Sequence, residues 1–258
     1  PEVLAAQRWP SFKSALLKVH APTSLNDLSP TAPARSRLAF DELLANQIAL
    51  RLIRQQTKSA LPGRVIAGTG RITEQLLPLL PFAPTSAQER VIAEITADQG
   101  APDRMLRLLQ GDVGSGKTFV ALMAILTALE AGAQAALLAP TEILARQHYQ
   151  GLSKLLKPLG LTPVLLSGST KQKARQEILQ GLADGSCQIA IGTHALLTDE
   201  VLFADLALAV VDEQHRFGVR QRLVLGQKGK NCDVLVMTAT PIPRTLAMTA
   251  YGDLTVSR

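Results

Sequence analysis

From residue 105 onward, short apolar runs recur along the chain at 105–109, 135–139, 163–167, 187–191, 207–211 and 233–237, separated mostly by helical patterns. Runs this short and nearly unbroken predict strands buried on both faces. Their alternation with helices predicts an α/β fold, a mostly parallel sheet flanked by helices. Ligands of such a sheet sit at the carboxyl ends of its strands. The helix after the first strand should occupy 119–131 and stop at Gly132.

The first eighty residues follow a different pattern. Pro22, Pro30 and Pro33 punctuate 20–37, which reads as an extended connection behind a short docking helix, the tail of an earlier domain. Over 38–58, Leu43, Leu44, Ile48, Leu50, Leu52 and Ile53 fall at helical spacing and predict a long amphipathic helix. Pro78, Pro81 and Pro84 mark a second joint, and Thr85-Ser86-Ala87-Gln88 then has the form of a capping box opening a helix to about residue 97. The expected organisation is a tail and linker over 1–37, a helical connection over 38–80 and the α/β lobe over 81–258.

Two strand ends carry recognisable chemistry. Gly111-Asp112-Val113-Gly114-Ser115-Gly116-Lys117-Thr118 matches the phosphate-loop pattern G-x-x-x-x-G-K-[ST], which chance would produce in roughly 1% of chains this long. Glycines let successive backbone N–H groups turn towards an anion, and the next helix adds the positive end of its dipole. Lys117 supplies charge for the β- and γ-phosphates, and Thr118 the hydroxyl expected on Mg²⁺. The run 206–211 delivers Asp212 and Glu213 to another strand end; Asp212 is the candidate metal carboxylate and Glu213 the candidate base for an attacking water. An acidic pair in a surface turn is the alternative. Thr238 and Thr240 place two hydroxyls at i and i+2 after the last run, suited to relaying the state of the γ-phosphate.

The bulk properties narrow the partners. No stretch of about 18 uncharged apolar residues is present and no secretion signal opens the chain, so a cytoplasmic protein without a membrane partner is expected. Cys187 and Cys232 lack metal-site spacing and read as reduced core thiols. The net charge of +6 is uneven: 10 basic and 5 acidic residues lie in 1–80, against 17 and 16 afterwards. A basic flank suits nucleic-acid phosphates, although a solvated helix face has the same composition. Aromatics are only 3%, so contact with the backbone rather than base stacking is expected. Pro1 in place of Met suggests a segment of something longer.

The phosphate loop, Ala139-Pro140-Thr141-Glu142, Gly192-Thr193-His194, Asp212-Glu213-Gln214-His215 and Thr238-Ala239-Thr240-Pro241, in this order and spacing, resemble the motifs of superfamily 2 helicases. More narrowly, 212–222 and 237–246 are similar to the RecG family of bacterial ATP-dependent DNA helicases. The transcription-repair coupling factor shares much of both, but Gln214 and the upstream 38–47 favour RecG. The resemblance implies a RecA-like P-loop NTPase lobe using ATP and Mg²⁺, acting without sequence preference on forks and Holliday junctions in the bacterial nucleoid. A monomer is expected.

By the same resemblance, Phe82, Thr85 and Gln88 read the adenine, although Gln88 could be the capping-box partner only. Pro140, Thr141, Ser167, Gly168, Ser169, Thr193 and His194 touch the DNA backbone, with helix capping as the competing role of the hydroxyls. His215 and Arg244 couple the nucleotide and DNA sites. His20 and His148 receive no role. In this group a second RecA-like lobe completes the ATP site; it is expected to lie outside the chain, which leaves the first lobe alone weakly active or a nucleotide-dependent binding module. A double-stranded DNA translocase acting on RNA polymerase is the alternative within the class.

Overall fold

The computed structural model describes residues 2–60, 63–212, 228–229, 231–240 and 254–257. They divide into two compact units, one of residues up to 56 and one from 57 onward. In the first unit, α1 (Glu2–Ala6) and α2 (Phe12–His20) precede a 3-10 turn at Leu25–Leu28. Asp27 accepts from the backbone N–H of Thr23 and Ser24 and pairs with Lys18, closing the connection into a turn. The extended stretch expected over 20–37 is therefore shorter than composition suggested. Helix α3 (Pro33–Ala60) already begins at Pro33, whose fixed φ suits a first helical position. The compositional break at 37 lies inside this helix, where Phe40 packs at 5.2 Å against Trp9.

The second unit holds α4 (Arg71–Leu76), α5 (Ser86–Gln99), β1 (Leu106–Gln110), α6 (Lys117–Glu130), β2 (Gln134–Leu138), α7 (Glu142–Leu156), β3 (Val164–Leu166), α8 (Gln172–Asp184), β4 (Ile189–Gly192), β5 (Leu206–Val211), β6 (Asp233–Thr238) and β7 (Thr255–Ser257). The strands form one sheet in the order β3-β4-β2-β5-β6-β1-β7, and every pairing is parallel. Six strands match the apolar runs within about two residues; β7 was not anticipated. Parallel pairing throughout puts all strand carboxyl ends on one edge, where β1, β2, β4, β5 and β6 deliver the polar motifs.

Helix α6 is unusual in being buried from Phe119 to Leu129 without interruption. It packs against β2 and β5 on one side and against α4 and α5 on the other, so no face is left for water. Helices α6 and α7 share one apolar cluster with Leu109, Leu137, Ile191 and Val210. The connection through α8 runs back across the sheet, and a right-handed crossover puts it on the opposite face. At the far end of α6, Glu130 accepts from the backbone N–H of Gly70 and Ile72 and from the Thr69 hydroxyl. It thereby caps α4, whose own N-cap residue, Gly70, has no side chain.

Polar side chains fasten the opposite edge of the sheet. Gln134, 3% exposed, donates to the carbonyls of Leu182 and Cys187 and accepts from Asp205 N–H, tying β2 to the chain ahead of β4 and β5. Arg107 on β1 meets Glu94, Asp98 and Ser257, which fixes α5 and β7 beside it. Asp233 accepts from Met105 N–H, while its other oxygen is buried without a partner among the described residues. Burial pushes its carboxyl up to about 7. Cys232 is fully buried and Cys187 partly so; both are free thiols raised by burial.

Candidate nucleotide and nucleic-acid site

β1 ends at Gln110 and the chain turns into the loop 111–116. Gly114 and Gly116 both take φ of +83°, a left-handed backbone that side chains rarely adopt. A Cβ on Gly116 would also lie 2.3 Å from Gln88 Nε2. Gly116 is the N-cap of α6 and gives it no side-chain cap, so the first N–H groups face the loop as donors for an anion. Lys117 Nζ bonds the carbonyls of Gly111 and Asp112 at 2.8 Å each, which holds the ammonium over the loop.

The upstream residues converge on this loop. Thr85 caps α5, and Gln88 completes the capping box by accepting from Thr85 N–H at 2.9 Å. The Gln88 amide then donates to the Ser115 carbonyl at 2.9 Å. Gln88 is thus more than a cap partner: its two ends join α5 to the phosphate loop. Phe82 packs T-shaped against Phe119, in the first turn of α6, with centroids 5.4 Å apart.

Two further strand ends adjoin. Gln110 pairs with Thr238 across β1 and β6, Gly111 N–H donates to the Thr238 carbonyl at 3.2 Å, and Gln110 Nε2 reaches the Thr240 carbonyl at 3.1 Å. Thr238 and the base of the loop therefore form one hydrogen-bonded unit. β5 delivers Asp212, which is 8% exposed and whose N–H is held by the Leu138 carbonyl. Its Oδ2 lies 2.7 Å from Nε2 of His148 on α7, a partner that sequence reasoning missed. Glu213, His215 and Arg244 lie outside the described residues.

The donor set fits Mg²⁺. Thr118 and Asp212 offer hard oxygens, and among the described residues no cluster of three or more His, Cys, Asp or Glu could cage a metal. Mg²⁺ takes most of its ligands from phosphate and water, so two protein oxygens of this kind suit it.

Along the same edge, Thr141 caps α7 by accepting from Leu144 N–H, so its capping role is realised. Thr193 makes no such cap, and it is buried, whereas His194 is exposed. Ser169 and Arg146 both bond Glu142, and Arg146 Nη2 also reaches Ser169 Oγ at 2.9 Å. Ser169 first, then Arg146, holds the Glu142 carboxyl below the usual carboxylate range. The 140–142 and 167–169 segments are thereby linked; Ser167 and Gly168 share the second, and Pro140 is half-buried in the first.

Residues 85–249 match the DEAD/DEAH box helicase family. This chain belongs to the DEAD/DEAH box helicase family. The ATP-dependent DNA helicase RecG of Acidithiobacillus ferridurans is 50% identical over 251 residues, 97% of this chain and 36% of that protein. RecG of Pasteurella multocida is also 50% identical, over 96% of this chain and 37% of that protein. The solved structure of RecG bound to a three-way DNA junction superposes with a TM-score of 0.82 at 41% identity, covering 99% of this chain and 34% of the other. The DEAD/DEAH box chain described here thus spans about a third of the length of these relatives.

Proposed function

We propose that this chain is the ATP-binding lobe of a monomeric DNA motor that remodels forks and Holliday junctions in recombination and repair, working beside the bacterial chromosome in the cytoplasm. The observation that carries the reading is the shared edge: the phosphate loop, Asp212 and the segments at 140–142, 167–169 and 193–194 all leave carboxyl ends of one parallel sheet. The likeness to RecG, one of whose structures holds a three-way DNA junction, supports branched DNA as the substrate.

In this reading the loop N–H groups and Lys117 hold the β- and γ-phosphates of ATP. Thr118 and Asp212 hold Mg²⁺, which supplies charge neutralisation at the phosphates. Phe82, Thr85 and Gln88 position the adenine. Glu213 orients and deprotonates the attacking water. Thr238 and Thr240, bonded to the base of the loop, carry the state of the site outward, together with His215 and Arg244. Thr141, Ser169 and His194 grip a strand through its phosphates, which reads no sequence, whereas Thr193, only 4% exposed, is not open to one.

The test is ATP-driven separation of a labelled three-way junction by the full-length protein, against linear duplex of equal length. Preferential separation of the junction, lost in Glu213→Gln while junction binding persists, is the expected result. Equal action on both substrates would overturn the branched-DNA assignment.

A further inference from the structure

The bond between His148 and Asp212 is not explained by either role assigned at this edge. It joins two elements far apart in sequence, the second turn of α7 and the end of β5, at 2.7 Å. Both side chains are 11% exposed, so water competes little for the contact. An ionised carboxylate can only accept, so the ring carries a proton on Nε2 and donates it to Oδ2. One carboxylate oxygen is thereby held by the ring, while the Asp212 backbone is held by Leu138. Among the described residues, no other side chain bonds the Asp212 carboxylate.

We propose that His148 is a positioning residue that aims the Asp212 carboxylate at the nucleotide-bound metal. The proposal rests on the assignment of Asp212 as the metal-holding carboxylate. Groups that orient a metal ligand usually matter nearly as much as the ligand itself, because a freely rotating carboxylate spends orientational entropy each time it engages the ion. The same helix is capped by Thr141 and carries Arg146, which bonds Ser169, so the residue that orients Asp212 lies on the element that borders the proposed DNA-facing segments.

The experiment measures binding of a fluorescent non-hydrolysable ATP analogue to the full-length protein by anisotropy, once in EDTA and once in saturating Mg²⁺. The ratio of the two dissociation constants isolates the contribution of the metal. His148→Ala should shrink that ratio by roughly 10-fold while leaving the affinity in EDTA unchanged. His148→Gln, whose amide N–H reaches about as far as Nε2, should recover most of it. Equal weakening in both conditions, an unchanged ratio, or a Gln variant no better than Ala would overturn the proposal. Asp212→Ala is the separate control: an undiminished ratio there would sink the metal assignment itself, whereas loss of the ratio in Asp212→Ala with no change in His148→Ala would sink only the role of His148.

Discussion

The two edges of the parallel sheet both carry polar side chains, but they use them in opposite ways. At the amino edge, Gln134, Arg107 and Asp233 are buried and bond neighbouring backbone, α5 and β7. At the carboxyl edge, the loop 112–115 is exposed and Lys117 is bonded to carbonyls of its own loop. The first arrangement holds the strands in register. The second keeps donors close to where an anion would sit, on a frame that the first keeps rigid.

The comparison can be broken most strongly at Asp233. Its carboxyl stands at about 7 in the folded chain against 3.8 for the free side chain, so the folded state holds a proton that the unfolded state releases as pH rises from about 4 to 7. Stability from this group is complete below pH 4 and lost as pH climbs towards 7. Asp233→Asn removes the titration. Between pH 4 and pH 8 the Asn variant should gain on the order of 4 kcal/mol relative to wild type in urea unfolding. Parallel stability curves for the two proteins would contradict the burial of the carboxyl with one oxygen unbonded among the described residues.

A smaller effect is expected at Gln134. Truncation to Ala takes the Gln134 bond from the Cys187 carbonyl and the Asp205 N–H, while the Leu182 carbonyl keeps the Ala204 N–H. The expected cost is about 3 kcal/mol, read as a shift in the unfolding midpoint, with nucleotide affinity of the folded fraction unchanged. A matching loss of nucleotide affinity would mean that the two edges are not separable.

The carboxyl edge was far more legible in sequence than the amino edge, for a physical reason. The phosphate loop is a contiguous backbone device whose glycines, Lys and Thr must be neighbours in the chain, so the pattern at 111–118 announces it. The capping box at Thr85 and Gln88 is equally local, and it was found with the right reach. Six strands followed from apolar runs, because strands buried on both faces need no partner to be recognised. The order of those strands did not follow, since β1 lies beside β6 and β7 rather than β2. Arg107 sits inside the apolar run at 105–109 and Gln134 just ahead of the one at 135–139, and their partners lie up to 150 residues away. His148 escaped for the same reason: its helix shows an ordinary amphipathic pattern, and its partner is 64 residues further on. The three residues of β7 are too short a run to stand out, and only the pairing with β1 defines them.

The central claim, that the carboxyl edge does chemistry while the amino edge holds the frame, is tested most directly by ATP hydrolysis and urea unfolding of the full-length Lys117→Ala variant beside wild type, with a three-way junction present. The account predicts turnover lower by about 100-fold or more with an unchanged unfolding midpoint, since among the described residues Lys117 bonds only carbonyls of its own loop. Turnover equal to wild type would contradict it.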